Sequence, residues 1–418
     1  MTELKDRLVK AERIDLAAAV GRDPDALSLF ARMDGLAVGN CSLLERTQAV
    51  MDAVLDDPPP AAPGGGDSTV APWWSPMPAA YAAALFQHVG LLEVGTSGEG
   101  RMPPHGRQSA RLAREEMRRW GVPFAVREHA VELVADQRKA EGLPRSGAPA
   151  ETYMRLSCAL DLRALYFLRR AEHRAVGGAA DEPRLEAFRR RAEELGVFGK
   201  ACPPPLGRGA VRRLGFADER QAHRALNALR YFRLVARMNE GEWYGERLRQ
   251  EMRRRVGRLH LLVGPAGSGK STWAREHLAG TTIVSADRMR EELTGDPADQ
   301  SQNYLVFQRC MDRVREELRL GRDVTFDATN YSEALRSTPV QAGRWAGAEI
   351  TSYFFDVALE RALEWNLNRR RAVPESVIRK HYRLLEPPAL YEADRHVVVD
   401  TEGAAAPYWP LEGEGKMR

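Results

Sequence analysis

The chain reads as an all-α N-terminal part followed by an α/β part with a parallel sheet and a helical lid. Three observations predict this. Residues 1–255 are rich in Ala, Leu, Arg and Glu, with apolar residues at helical spacing. From Gly257 the pattern changes to short apolar runs alternating with helices, the signature of a parallel sheet wrapped by helical crossovers. The first such run leads into Gly264-Pro265-Ala266-Gly267-Ser268-Gly269-Lys270-Ser271, which fits the phosphate-binding pattern G-x-x-x-x-G-K-[ST] between a strand and a helix. The composition divides near residue 257, giving expected domains 1–255 and 256–418.

In the first part, Arg111–Trp120 predicts a helix ended by Gly121 and Pro123, and Leu156 to His173 is apolar at helical spacing. Asp56 to Pro72, with Pro58-Pro59-Pro60 and Gly64-Gly65-Gly66, is expected as a mobile loop, and Gly95 to Pro104 as a second loop. The basic stretch Arg247 to Arg258 joins the halves and is expected as a solvated helix face, with contact to phosphate as the weaker alternative. In the second part the expected strands are Leu259–Val263, Thr282–Ser285, Asp323–Asp327, Ile350–Asp356 and His396–Asp400. Ligands of such sheets sit at the carboxyl ends of the strands, where this sequence concentrates polar residues.

At 418 residues, 44% hydrophobic and 29% charged, the composition is that of an ordinary globular protein with several cores. A net charge of +4 neither requires nor excludes a nucleic-acid partner. Cys41, Cys158, Cys202 and Cys310 form no C-x-x-C pair and are expected as reduced thiols, mostly near the core. The N-terminus lacks the apolar stretch of a secretory signal, and no run of about 18 apolar residues exists. The expectation is a cytoplasmic protein without a membrane partner.

The phosphate-binding loop sets the chemistry. Strand, glycine loop and helix align backbone N–H groups on a polyphosphate, so Gly264, Gly267, Ser268, Gly269, Lys270, Ser271 and Thr272 are the expected contacts of a nucleoside triphosphate, ATP, with Mg²⁺. Lys270 supplies charge to the β- and γ-phosphates, and the Ser271 hydroxyl can ligate Mg²⁺. Only seven lysines stand among 62 Lys+Arg, so a lysine here is not background composition. Asp287 follows the second strand, where a carboxylate can take the proton of an attacking hydroxyl; capping the next helix is a compatible role. Arg290 lies one helical turn on and can hold an anionic acceptor. Asp327 either supports Mg²⁺ and its water or braces neighbouring loops. Asn366 to Pro374 reads as an arginine-rich turn between two helices, with Pro374 at a first helical position; Arg369 there could neutralise charge on the transferring phosphoryl group, and a solvated basic turn is the alternative.

These stretches resemble the phage and bacterial polynucleotide 5′-kinases. The phosphate loop through Arg275 is similar to theirs, and Ser285-x-Asp287-x-x-Arg290, Asp327-Ala328-Thr329-Asn330, Phe355-Asp356-Val357, Asn366-x-x-Arg369 and Val373-Pro374-Glu375-x-Val377-Ile378-Arg379 follow in the family's order, over about residues 257–400. The resemblance implies Asp287 as general base, Arg290 on the acceptor's phosphate, Arg369 on the donor phosphates, and a partner nucleic acid with a 5′-OH end. Related kinases of small molecules share the loop and lid.

Residues 30–245 resemble the helical HD-phosphohydrolase domain that precedes such a kinase in some bacterial end-healing enzymes. The likeness is carried by Ala82 to Gly90, His105-Gly106-x-x-Ser109-Ala110-Arg111, Gly121 to Glu128, and Leu229-Arg230-Tyr231-Phe232-Arg233. The family's adjacent His-Asp pair falls on Gln87-His88, its His-His pair on Asp136-Gln137, and an earlier His near Arg46; His105 alone is in register, with Glu172 a possible acidic substitute. An HD-like fold that has lost its metal chemistry is expected, since a lone histidine rarely makes a site and an arginine repels a cation. The sequence thus points to an ATP- and Mg²⁺-dependent polynucleotide 5′-hydroxyl kinase. A kinase of a small hydroxyl acceptor and a nucleotide-dependent regulatory module are the competing readings.

Overall fold

The computed structural model describes residues 2–60, 76–96, 102–177, 181–216, 219–236, 245–246, 248–249, 256–296, 299, 301–369 and 371–407. The expected loops at 56–72 and 95–104 lie partly outside these residues, and the joining segment 247–258 mostly so. The order is the expected one: a helical region over residues 2–234, then an α/β region with a mostly parallel six-stranded sheet. By compactness the chain divides into Met1–Cys202 and Pro203–Arg418. The helices Arg208–Arg213 and Glu219–Leu234, read from sequence with the helical half, therefore belong to the α/β unit.

In the first unit a short antiparallel hairpin, β1 (Ala37–Val38) and β2 (Cys41–Ser42), feeds the helix Leu43–Asp56. Ser42 and Glu45 close that helix start reciprocally, each side chain accepting from the other's backbone N–H. The helix Pro76–Phe86 is buried at every residue from Ala79 to Phe86, so it is apolar all round rather than amphipathic. The helices Leu43–Asp56, Phe124–Asp136 and Leu162–Val176 pack on it. The stretch expected as one helix over 156–173 is two, Ala150–Leu156 and Leu162–Val176. The break has a cause: buried Asp161 accepts from the backbone N–H of Arg163 and Ala164 and so starts a new helix. The expected helix 111–120 runs longer, Gly106–Arg119. Cys158, Cys202 and Cys310 are buried and Cys41 half-buried, all as free thiols.

In the second unit the strands are β3 (Leu259–Val263), β4 (Thr282–Ser285), β5 (Val324–Asp327), β6 (Ile350–Phe355), β7 (Arg395–Val399) and β8 (Ala405–Pro407), in the order β4-β5-β3-β6-β7-β8. All neighbours are parallel except β7 and β8, an antiparallel pair that the sequence pattern did not reveal. β3 is buried along its whole length between β5 and β6, as its unbroken apolar run demands. The phosphate loop therefore leaves the centre of the sheet.

Behind that loop lies a buried knot. Arg336, fully buried, donates to both Glu392 oxygens (2.6 and 3.0 Å) and to the carbonyls of Asn330, Glu386 and Pro387. All five guanidinium donors are thereby used. Replacing Arg336 with methionine leaves Glu392 buried without its counter-charge. The expected cost is about 3–5 kcal/mol, read as a lower urea midpoint of the full chain. An unchanged midpoint would show that the pair is dispensable.

Candidate active site

The phosphate loop owes its path to two glycines. Gly267 and Gly269 adopt φ +84° and +81°, where an L side chain is strained. A Cβ at 267 would lie 2.8 Å from the Ala362 carbonyl oxygen, and one at 269 would lie 3.3 Å from the Trp365 ring. The helix Leu359–Leu367 thus rests directly on the loop. Other contacts fix it from behind: Gly264 N–H donates to the Thr329 carbonyl (2.9 Å) and the Asn330 amide to the Leu262 carbonyl (2.9 Å). Ala266 N–H donates to His381 Nδ1 (3.2 Å), whose ring stacks on Tyr331 at 4.5 Å. Burial pushes His381 down to about 4, so it stays a neutral acceptor at ordinary pH.

A cleft of about 530 Å³ opens over this loop. Ala266 to Trp273 line it, together with Asp287, Arg290, Phe307, Asp327, Trp365, Arg369 and the turn after β7, Asp400 to Gly403. Gly264 is not among the lining residues; its N–H already serves Thr329. Lys270 is buried at the start of the helix Lys270–His277, and its ammonium donates to the Pro265 carbonyl (2.6 Å). Burial pushes Lys270 down to about 8, with the nearby Asp327 carboxylate opposing that shift. Asp327, at the end of β5, is pushed up by burial, while a hydrogen bond with Ser271 and the Lys270 charge act the other way. A hydroxyl and a carboxylate in contact beside a phosphate-binding loop form a hard oxygen donor set, so Ser271 and Asp327 suit Mg²⁺. The hydrogen bond to Ser271 is compatible with both roles considered for Asp327, support of the metal and bracing of the loop.

Asp287 lies in the first turn of the helix Ala286–Thr294. The cap of that helix is Ser285, whose hydroxyl accepts from Arg288 N–H at 3.5 Å, so the capping role considered for Asp287 falls to its neighbour. Asp287 is 77% exposed at the cleft and accepts from Arg290 Nη1 at 2.8 Å. Its charge reaches both Lys270 and Asp327. Arg290 is buried, and Asn303 accepts from its Nε and Nη2 at 3.3 and 3.1 Å. In the lid turn Arg369 lines the cleft, whereas Arg371 pairs with Asp296 at 3.4 Å and Arg370 lies outside the described residues. Pro374 occupies the cap of the helix Glu375–Arg383 rather than its first turn. The loop, Asp287, Arg290, Asp327 and Arg369 are thus brought together. Sequence reasoning missed Trp365, His381, Asn303 and Phe307, whose contacts join residues far apart in the chain.

The first unit gathers another polar cluster. His105 Nδ1 lies 2.7 Å from the Pro103 carbonyl, His88 Nδ1 lies 3.0 Å from His105 Nε2, and His88 Nε2 lies 3.1 Å from Glu172. Arg46 donates to Glu172 at 2.7 Å and Arg169 also pairs with it. Gln137 joins the cluster through the Gln87 carbonyl (2.9 Å), while Asp136 bonds Lys139 (2.8 Å). Positions 46, 88, 105 and 172 do meet, but Glu172 answers guanidiniums. Among the described residues no group of three or more His, Cys, Asp or Glu is arranged to hold a metal ion. Burial opposes ionisation of Glu172, yet Arg169, His88 and Arg46 outweigh it and hold its carboxyl well below the usual range.

Two buried histidines of the first unit have a pH consequence. Burial pushes His105 and His129 down to about 4. An unfolded chain therefore binds more protons than the folded one between pH 6.5 and 4, and stability falls as pH falls through that window. The loss is on the order of 3 kcal/mol for each ring. Urea titrations of the full chain at pH 7 and 5 should show the drop. Replacing both histidines with glutamine should reduce it, leaving the share of His381 and His396, which burial also pushes down to about 4 and about 3. An equal drop in the variant would assign the acid limb elsewhere.

Residues 259–388 match a family model described as an AAA domain. Part of the chain is also similar to a chain in the structure of the Pnkp1/Rnl/Hen1 RNA repair complex, with 26% identity, 32% of this chain and 45% of that chain covered, and a TM-score of 0.29. A gluconokinase from Sinorhizobium meliloti 1021 is 18% identical over 35% of this chain and 85% of its own, with a TM-score of 0.27. The chain thus spans less than half the length of the first of these. The second unit carries a phosphate-loop domain of kinase type, which implies binding of a nucleoside triphosphate, typically with Mg²⁺. Among the described residues no helix is long and apolar enough to cross a membrane.

Proposed function

We propose that the second unit is a polynucleotide 5′-hydroxyl kinase that moves the γ-phosphoryl group of ATP to the 5′-OH end of RNA or DNA, in nucleic-acid end repair. The observation that carries this reading is the pairing of Asp287 with Arg290 in the same cleft as Lys270, Ser271 and Asp327. A pure nucleotide switch has no need of a carboxylate there. An acceptor hydroxyl entering beside Asp287 gives up its proton to that carboxylate as its oxygen attacks the γ-phosphorus. The bond from the γ-phosphorus to the β,γ-bridging oxygen breaks, and ADP leaves with that oxygen. Arg290 grips the phosphate next to the attacked end, through a guanidinium that Asn303 orients. Lys270 and Arg369 carry the charge on the donor phosphates. Magnesium held by Ser271 and Asp327 would neutralise the β- and γ-oxygens.

The first unit is read as an HD-like helical domain whose ancestral metal position is taken by the Arg46–Glu172 pair, leaving it to support the kinase or its substrate. The acceptor class is tested by competition. A 5′-OH oligonucleotide and a nucleoside 3′-monophosphate should accept label from γ-labelled ATP, whereas sugars, polyols and nucleosides lacking the phosphate should accept far less and not compete. Rapid labelling of a polyol with none on nucleic acid would replace this reading with a small-molecule kinase. Tight ATP binding with transfer to no acceptor would favour the regulatory module.

A further inference from the structure

We propose that a polar groove at the amino ends of the parallel strands, opposite the active cleft, binds a phosphate group through Arg224, Arg258 and Arg322. The groove has a volume of about 670 Å³. Its walls come from the residues that enter the sheet: Arg258 before β3, Thr282 at the start of β4, Asp323 before β5 and Glu349 before β6. The phosphate loop leaves the other end of β3, a five-residue strand and so about 15 Å away. This groove is therefore separate from the cleft, and its role does not depend on the kinase reading.

The charges in and around it are matched pair by pair, with one exception. Arg258 donates to Asp323 at 2.9 and 2.6 Å, and Arg220 pairs with Glu349 at 2.7 Å. Arg322 pairs with Glu317 at 3.0 Å, and Arg344 takes Asp394 at 2.6 Å. Among the described residues Arg224 has no such partner. It is half-buried on the helix Glu219–Leu234, its charge disfavoured by burial. The carboxylates that attract it, Asp394 and Glu349, already bond other arginines. A guanidinium held away from bulk water without a bonded counter-charge is unfavourable unless an anion completes it. The forked donors of Arg224, with the positive charge of Arg258 and Arg322 beside it, favour a phosphate over a halide, while Asp323 and Glu317 keep their own arginines. The phosphate could be free or part of a nucleic-acid backbone, and the two sources separate by experiment.

The test is thermal denaturation of the full chain at matched ionic strength, in a Lys270→Met background that weakens anion binding at the phosphate loop. The probes are inorganic phosphate and a short 5′-phosphorylated oligonucleotide, each against chloride. The midpoint of the Lys270→Met protein should rise with at least one probe: with phosphate if the site takes a free anion, with the oligonucleotide alone if it takes a backbone. Adding Arg224→Gln or Arg322→Gln should abolish that rise. In chloride, Arg224→Gln should melt no lower than its parent, because it removes an unmatched charge. The same rise in both added variants, or no rise with either probe, overturns the proposal.

Discussion

Changing Asp287 to alanine is expected to lower kcat for phosphoryl transfer by about 10²–10⁴-fold, the usual contribution of a positioned general base. The KM for ATP should change little if, as proposed, Asp287 serves the acceptor and the loop residues hold the donor. Stability should fall only modestly. The Asp287 side chain is 77% exposed and the helix start is capped by Ser285, while the buried Arg290 loses its carboxylate partner but keeps its bonds to Asn303. Asp287→Asn keeps the shape and should lose nearly as much rate, since an amide takes up no proton. Single-turnover rates at saturating ATP measure both. A fall confined to KM would make Asp287 a binding residue only.

Lys270→Met is expected to reduce transfer by about 10²–10³-fold, the effect of removing one preorganised charge from a developing anion. The fold should not suffer. Lys270 is a buried ammonium bonded to the Pro265 carbonyl, and methionine fills similar space without a charge to desolvate. The same burial gives the wild type a pH signature. With the ammonium pushed down to about 8, the free protein loses this charge as pH rises through that region. The profile of kcat/KM should therefore bend downward near pH 8, and the bend should be missing in Lys270→Met. A bend retained in the variant would belong to another group.

Much of this site was legible because its determinants are local. The phosphate loop is one continuous segment whose glycines are required by left-handed backbone at 267 and 269. The pairing of Asp287 with Arg290 follows from their three-residue spacing on one helix. β3 and β4 announce themselves as apolar runs, and the class of each region follows from its periodicity. What stayed hidden depends on partners distant in sequence. Nothing near Ala266 signals that His381, 115 residues on, accepts its N–H. Arg46 and Glu172, 126 residues apart, were assigned to one site by resemblance alone, and nothing near either signals the bond between them. The helix Glu219–Leu234 has the composition of the helical half, yet its side chains meet Glu349, Tyr391 and Trp345, so burial against the α/β unit decided where it belongs. The break at 157–161 was hidden in turn because a buried cap overrode an apolar pattern that ran straight through it.

The most direct test uses purified full-length protein, γ-labelled ATP and Mg²⁺, with one oligonucleotide offered in two forms, 5′-hydroxyl and 5′-phosphate. The 5′-hydroxyl strand should gain a label that a phosphomonoesterase removes, and the 5′-phosphate strand should gain none. If neither strand is labelled, or both are labelled alike, the cleft does not act on a 5′-hydroxyl end.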